Sequence, residues 1–98
     1  MSKLRKAAKG RQCQIRITCV CNGDSETTVL AHYRMSGLCG TGTKPSDFVG
    51  AHACSACHDQ VDGRSKPLYP KDKLRLWHLE GVVRTLSQLE KEGLVGAK

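Results

Sequence analysis

The feature that most constrains this chain is the stretch from His52 to Gly63, which concentrates metal-binding side chains. It contains two cysteines, two histidines and two aspartates. Cys54 and Cys57 are separated by two residues, a spacing that lets both thiolates converge on one zinc ion at about 2.3 Å. This pair is therefore half of a tetrahedral zinc site, and the other half must come from elsewhere in the chain.

A metal site of this kind agrees with the size of the chain. With 98 residues we expect one small domain, whose core is marginal without further cross-links. Six cysteines and few aromatic residues predict that disulfides or a metal supply them. The first residues lack the apolar core of a signal peptide, and no later run approaches the roughly 20 apolar residues of a membrane span. We therefore expect a cytoplasmic protein whose reduced cysteines bind metal.

The second pair of ligands is expected in the segment from Cys13 to Gly23. Its alternating pattern predicts a strand that ends in a turn at Asn22-Gly23. Cys19-x-Cys21 is too tight for an ordinary knuckle, whereas Cys13 and Cys21 bracket the predicted strand, so we favour these two. Cys19 and Cys39 are alternatives at the same site, and each also fits a small buried apolar residue.

A second cation site is predicted just after the knuckle. Residues 58 to 63 favour a short helix that ends at Gly63 in the left-handed conformation. His58 and Asp62 are four residues apart and so share one face of that helix. A hard or borderline cation fits between the imidazole and the carboxylate, although Asp62 equally fits a solvated helix residue.

The rest of the chain divides into strands, a loop and a long helix. Residues 27 to 34 are rich in β-forming residues and include His32, and residues 47 to 53 predict a second strand after a glycine-rich loop. An amphipathic helix is expected from Lys71 to about Glu92, with Gly93 as its stop. Gly81 within it indicates close packing, and His78 is expected at the surface. The apolar stripe of this helix is predicted from Leu76, Leu79, Val82, Val83, Leu86 and Leu89.

The charge of the chain points to a polyanionic partner. The formal net charge is +7, and the first eleven residues contain five basic and no acidic side chains. We expect these residues to form a frayed arm that becomes ordered on nucleic acid, although a basic tail that only aids solubility has the same composition. The basic residues of the arm are Lys3, Arg5, Lys6, Lys9 and Arg11.

Several motifs together resemble a family of nucleases. The motifs are residues 30 to 34 (Leu-Ala-His-Tyr-Arg), residues 44 to 47 (Lys-Pro-Ser-Asp) and residues 54 to 58 (Cys-Ser-Ala-Cys-His). With the cysteines of residues 11 to 23, the chain resembles the small prophage-encoded nucleases of the YbcO type, within the HNH or His-Me finger (ββα-metal) endonucleases. The resemblance implies that His32 is the general base and that His58 is a metal ligand. It also implies a structural zinc on Cys13, Cys21, Cys54 and Cys57.

The chain departs from the wider HNH pattern at two positions. Ala31 stands where many HNH proteins carry an acidic residue before the strand histidine, which removes one usual ligand of the catalytic ion. The middle motif position lacks its asparagine, and Asp47 and His52 are the candidates to replace it.

The sequence and the resemblance together predict a small α+β, zinc-stapled ββα-metal domain with an additional C-terminal helix. Residues 1–11 are expected as the basic arm, 12–66 as the nuclease core and 67–98 as the helix packed on it. The expected activity is hydrolysis of DNA, with His32 as general base. A catalytic divalent ion such as magnesium, manganese or zinc would bind His58, with Asp62 and Asp47 as further candidates. Arg34 and Lys44 would join the basic arm in holding the DNA.

Three other interpretations fit parts of the sequence. A zinc-dependent nucleic-acid-binding or adaptor module without catalysis needs the same cysteines and charge, and His32 would then be a structural hydrogen-bonding residue. A redox-active cysteine protein is a further alternative. Residues 54 to 58 also match the haem c attachment motif, but covalent haem requires export and leaves four cysteines unexplained.

Overall fold

The protein is described by a computed structural model that covers residues 3–35 and 46–94. Its secondary structure consists of three α-helices and a pair of β-strands, with short 3₁₀ turns at Ser25–Thr27 and Asp47–Val49. The elements in chain order are α1 (Lys3–Ala8), β1 (Val29–His32), β2 (Gly50–Ala53), α2 (Ser55–Asp62) and α3 (Lys71–Lys91).

The two strands form an antiparallel ladder that runs directly into α2. Val29 pairs with Ala53 and His32 pairs with Gly50, so His32 lies at the end of β1 where the hairpin loop begins. Both strands were predicted, but the second is shorter than expected because residues 47–49 form a 3₁₀ turn whose N-cap is Ser46. β2 is buried along its whole length, and its small side chains allow a helix to pack closely on it.

Helix α3 packs across β2. A Cβ atom at Gly81 would lie 2.9 Å from Ile15 Cγ1 and 3.2 Å from Ala51 Cβ, so the predicted close packing at this glycine is confirmed. Thr85 is fully buried and its Oγ1 accepts a hydrogen bond from the main-chain N–H of His52 at 2.9 Å. The helix ends as predicted, with Glu92 as its C-cap and Gly93 at φ 77°. No helix among the described residues is both long and apolar enough to cross a membrane.

The predicted apolar stripe of α3 is partly wrong. Leu76, Leu79 and Val83 are exposed, because the helix turns a face of smaller and polar residues toward the sheet. Gly81 lies at the point of closest approach, and because it has no side chain it lets this face of α3 pack against β2. The buried residues are Leu74, His78, Gly81, Val82, Thr85 and Leu89.

His78 is buried and not at the surface as predicted. Only 6% of its surface is exposed. Its Nε2 lies 2.8 Å from the carbonyl oxygen of Ala31 in β1, and its ring meets Tyr33 edge-on at 5.1 Å. Because the imidazole satisfies a main-chain group of the sheet, it can lie in the core without leaving a polar atom unpaired.

The segment from Cys13 to Cys21 is an irregular chain, so the strand predicted there is wrong. Arg16 and Cys19 have φ angles of 57° and 64°, which interrupt an extended conformation. Ile15 and Ile17 are nevertheless fully buried, and they account for the alternating pattern in the sequence. Gly23 has the positive φ angle expected of it, at 68°, but the turn lies earlier, at residues 18–20.

The amino-terminal residues also differ from the frayed arm that the sequence predicted. They form α1, and Leu4 and Ala8 on one face of this helix are buried. Just after it, Arg11 forms a two-pronged ion pair with Glu92 at the end of α3. This arginine lowers the pKa of Glu92 to about 2. The two ends of the described chain are therefore joined on one side of the molecule.

Candidate metal centre and active site

Four cysteines lie together where the irregular segment meets the start of α2. The sulfurs of Cys13, Cys21, Cys54 and Cys57 are all within 4.8 Å of one another. Cys54 is the N-cap of α2 and its sulfur accepts a hydrogen bond from the main-chain N–H of Cys57 at 3.4 Å. The structure thus brings together the four cysteines selected from the sequence.

The spacing of these sulfurs suits zinc. Four sulfurs placed tetrahedrally at about 2.3 Å from one ion lie about 3.8 Å apart, and the sulfurs of Cys21 and Cys54 are separated by 3.9 Å. Cys13, Cys54 and Cys57 are buried, and all five cysteines of the described residues carry free thiols. Cys19 is exposed and outside the cluster, while Cys39 lies outside the described residues.

The electrostatics of the cluster also favour a bound cation. A hydrogen bond between the sulfurs of Cys13 and Cys57 lowers the pKa of Cys13 to about 4 and raises the pKa of Cys57. Burial raises the pKa of Cys21. Without a cation, one thiolate is thus stabilised at the cost of its neighbours, because adjacent negative charges repel in a buried site. A divalent ion would allow all four sulfurs to be ligating thiolates.

His32 forms a pair with Asp47 on the other side of the hairpin. Its Nε2 lies 2.7 Å from Asp47 Oδ1, and the two side chains are 16% and 19% exposed. The Nε atom of Arg5 in α1 lies 3.3 Å from the same carboxylate oxygen. The sequence did not predict this pairing. The strand register sets Gly50 opposite His32, and Asp47, three residues before Gly50, is thereby brought close to the imidazole.

His58 and Asp62 share one face of α2, as their spacing predicted. The distance from His58 Nε2 to Asp62 Oδ2 is 4.0 Å, and two ligands at about 2.1 Å from one ion can be this far apart. Burial lowers the pKa of His58 against the opposing effect of Asp62, which favours the neutral ligand form of the imidazole. Asp62 also accepts an ion-pair contact from Arg64 Nε at 3.0 Å.

The cysteine cluster is the only place in residues 3–35 and 46–94 where three or more metal-ligating side chains meet. A cation on His58 and Asp62 would therefore take its other ligands from water or substrate. Asp47, the further candidate ligand, is held instead by His32 and Arg5.

His32, His58 and Asp62 line one open cleft of about 520 Å³. Basic side chains surround it, and they include three predicted for nucleic acid, namely Arg5, Lys9 and Arg34. Arg64 also lines the cleft and was not predicted. Two of the other predicted residues do not line this cleft. They are Lys6, which is exposed elsewhere on α1, and Arg11, which pairs with Glu92. Lys44 and the side chain of Lys3 lie outside the described part of the chain.

His52 does not take part in this site. It lies in β2 with 1% of its surface exposed, and burial lowers its pKa. Its main-chain N–H bonds to α3 and its carbonyl accepts a hydrogen bond from Gln14 N at 2.7 Å. This histidine therefore belongs to the packing of the hairpin.

Fold and site together define a small α+β protein that has four cysteines close enough to hold a metal ion and a basic cleft lined by His32 and His58. The chain belongs to the family described as "Putative nuclease YbcO", whose sequence model matches residues 2–94. It is 53% identical over 100 residues to the "Putative nuclease YbcO" of Escherichia coli (strain K12) and likewise to that of Enterobacteria phage 82. Each alignment covers 99% of this chain and all of the relative.

A solved structure has the same fold. It is described as a putative bacteriophage protein from Escherichia coli str. K-12 substr. MG1655. It superposes with a TM-score of 0.79 at 45% identity, over 93% of this chain and all of that chain.

Proposed function

We propose that this protein is a metal-dependent endonuclease that hydrolyses DNA phosphodiester bonds on a ββα-metal, HNH-like core. The observation that carries the proposal is that His32, at the end of β1, and His58, on the helix after β2, line the same basic cleft. The names of the relatives, which are called nucleases, agree with this function. A polyanionic substrate also agrees with the charge of +7.

In this proposal His32 is the general base. Because Asp47 holds Nε2, this nitrogen carries the ring proton and Nδ1 is left to accept a proton from the attacking water. We therefore assign Asp47 to positioning His32, in place of the metal-ligand role considered from the sequence. Arg5 contacts the same carboxylate and fixes it from the side of α1.

His58 and Asp62 would hold the catalytic cation, for which magnesium, manganese and zinc are the candidates. A divalent ion supplies a Lewis acid that offsets charge on the phosphate and on the leaving oxygen. Arg34 and Lys9 would bind neighbouring phosphates from the rim of the cleft. The four cysteines would hold a structural zinc, and the protein would act in the cytoplasm, where its thiols stay reduced.

Replacement of the proposed base tests the activity. Purified zinc-loaded protein is incubated with supercoiled plasmid in magnesium, manganese or added zinc. We expect nicking by the wild type and a loss of about 10²- to 10⁴-fold in His32→Ala, with unchanged circular dichroism and DNA affinity. Equal cleavage by the variant would contradict the role of His32.

A non-catalytic nucleic-acid-binding or adaptor module is the second candidate. It is favoured by the small number of protein ligands at His58, since only Asp62 joins it among the described residues that could hold an ion. If the wild type binds DNA but cuts neither duplex nor single strands in any of the three ions, this second function is the correct one.

A further inference from the structure

We propose that a second cavity, between α2 and α3, is a phosphate-binding subsite for the same nucleic-acid strand that crosses His32, and that Lys71 and Arg75 bind its backbone there. This inference rests on the proposed nucleic-acid substrate and extends it beyond the residues already assigned. We refer to this cavity as the α3 subsite.

The α3 subsite adjoins the candidate active site. Its volume is about 470 Å³, within the range of small-molecule pockets. His32, Arg34 and Asp62 line both this cavity and the first cleft. The two cavities therefore adjoin at the proposed base, so a strand that occupies the first cleft can extend towards the second.

The charge of the α3 subsite suits phosphate. Lys71 and Arg75 are four residues apart on α3 and so share the helix face that lines the cavity. Arg34 adds a third cation from the end of β1. Asp62 is the one carboxylate among the described residues that line this cavity, and its charge is already met by Arg64 at 3.0 Å. Cations therefore outnumber carboxylates.

Arg75 is held in position before any ligand arrives. Its guanidinium lies over the ring of Tyr33, 4.6 Å from the centroid, and its Nη2 donates to the carbonyl oxygen of Arg34 at 3.2 Å. A guanidinium has five N–H donors in a fixed planar fork. The hydrogen bond to Arg34 uses one of these donors and leaves others that can reach a phosphate. Because the side chain is already held in place, binding would cost less conformational entropy.

The test measures how DNA binding depends on salt. The parent is His32→Ala, so that no substrate is cut, and the probe is a labelled duplex of about 20 base pairs, roughly two helical turns. Affinity is measured by fluorescence anisotropy from about 50 to about 200 mM salt. The logarithm of the affinity falls as the logarithm of the salt concentration rises. Each lost phosphate contact makes this fall less steep by about 0.9, which is about eight-fold in affinity over one decade of salt.

We expect Lys71→Gln and Arg75→Gln each to make the salt dependence less steep by about this amount. Lys73→Gln is the matched control, since it removes the same charge from the same helix. Its Nζ lies over the ring of Trp77 at 4.9 Å, and Lys73 does not line the α3 subsite. Its slope should stay within about 0.2 of the parent value, well below one phosphate contact.

Two results would overturn the proposal. One is an unchanged slope in Lys71→Gln, and the other is an equal fall in Lys73→Gln, which would mean that any nearby charge suffices. Lys71 is exposed, so its replacement tests the subsite even if Arg75→Gln unfolds. Arg75→Lys keeps the positive charge and should retain most of the salt dependence of the parent. Absence of cleavage by the wild type would instead count against the proposed catalysis and leave these binding results interpretable.

Discussion

Asp47 is the side chain on which the geometry around His32 depends most. One oxygen of its carboxylate contacts both His32 Nε2 and Arg5 Nε. A carboxylate can only accept from the imidazole, and it thereby selects the tautomer whose Nδ1 carries a lone pair. The same oxygen connects the proposed base to α1, so the amino-terminal helix has a part in the site.

Asp47→Asn should therefore reduce cleavage without unfolding the protein. The amide can donate its own N–H to Nε2, which favours the opposite tautomer and blocks Nδ1 as a base. We expect a fall in the cleavage rate of up to about 10⁴-fold, by comparison with the same change beside a catalytic histidine in serine proteases. The measurements are single-turnover cleavage, DNA affinity and melting temperature, and the last two should hardly change.

Ser46→Ala is the control for that variant. Ser46 caps the 3₁₀ turn that carries Asp47, and its Oγ accepts from Phe48 N at 3.1 Å. If loosening this turn reduced cleavage as strongly as Asp47→Asn, the effect would come from the shape of the loop and the positioning role of the carboxylate would be wrong.

At the scale of elements, the order of the hairpin's strands and the two later helices could be predicted, as could the ends of those helices. The bounds of the strands, the start of α2 and the buried face of α3 could not. Turn and stop signals such as Gly63 and Gly93 are local and were read correctly. The buried face of α3 depends on which side chains let it approach β2. Hydropathy gives weight to Leu76 and Leu79, whereas the contact is built on Gly81 and Thr85, which a stripe of large apolar residues does not include.

The same limit applied to the segment that carries Cys13 and Cys21. Its alternation predicted a strand, and left-handed residues at Arg16 and Cys19 replaced it with an irregular path. Cys13 and Cys21, the two favoured from the sequence, nevertheless lie in the cluster. They were favoured because they bracket the segment, whereas Cys19 is too near Cys21 for an ordinary knuckle. Asp47 was harder to assign, since its contact with His32 follows from the register of two strands that pair across a loop.

Gly81→Ala should destabilise the protein although alanine favours helix. The new Cβ would lie 2.9 Å from Ile15 Cγ1 and 3.2 Å from Ala51 Cβ. Overpacking costs about 1–3 kcal/mol, against a gain of about 1 kcal/mol in helix propensity. We expect a net loss of about 1 kcal/mol, seen as a fall of about 4–8 °C in melting temperature of the zinc-loaded protein.

Ser87→Ala on the exposed side of α3 provides the comparison. It gains helix propensity without crowding, so its melting temperature should stay level or rise slightly. A similar rise in Gly81→Ala would mean that α3 shifts freely on the sheet, and the close approach at Gly81 would not constrain the fold.

At the scale of the whole molecule, the cysteine cluster joins parts of the chain that are more than 30 residues apart in sequence. β2 contributes a glycine and two alanines to the interior, which bury little apolar surface, together with the buried imidazole of His52. Cys13 and Cys21 belong to the irregular segment, and Cys54 and Cys57 to the start of α2. An ion held by all four would fix the irregular segment, with its buried Ile15 and Ile17, against the hairpin and α2.

Removal of the proposed structural zinc should therefore unfold the protein and not merely abolish the proposed activity. Small zinc domains owe about 10–16 kcal/mol of apparent folding free energy to the metal at neutral pH, a contribution comparable to the whole 5–15 kcal/mol of stability typical of a domain. We expect a strong chelator to abolish the helical circular dichroism signal, with release of one zinc ion per chain measured by a colorimetric reagent.

Cys54→Ser should behave like the chelated protein. It removes a buried ligand, and the three remaining thiols do not complete the four ligands of a closed structural site. Cys19→Ser is the matched control, since Cys19 is exposed and outside the cluster, and it should keep its zinc and its melting temperature. If the chelated wild type retained its helices and a cooperative melt, the core of α3, the hairpin and the two isoleucines would be sufficient by itself, and the cluster would have to be explained by a role other than folding.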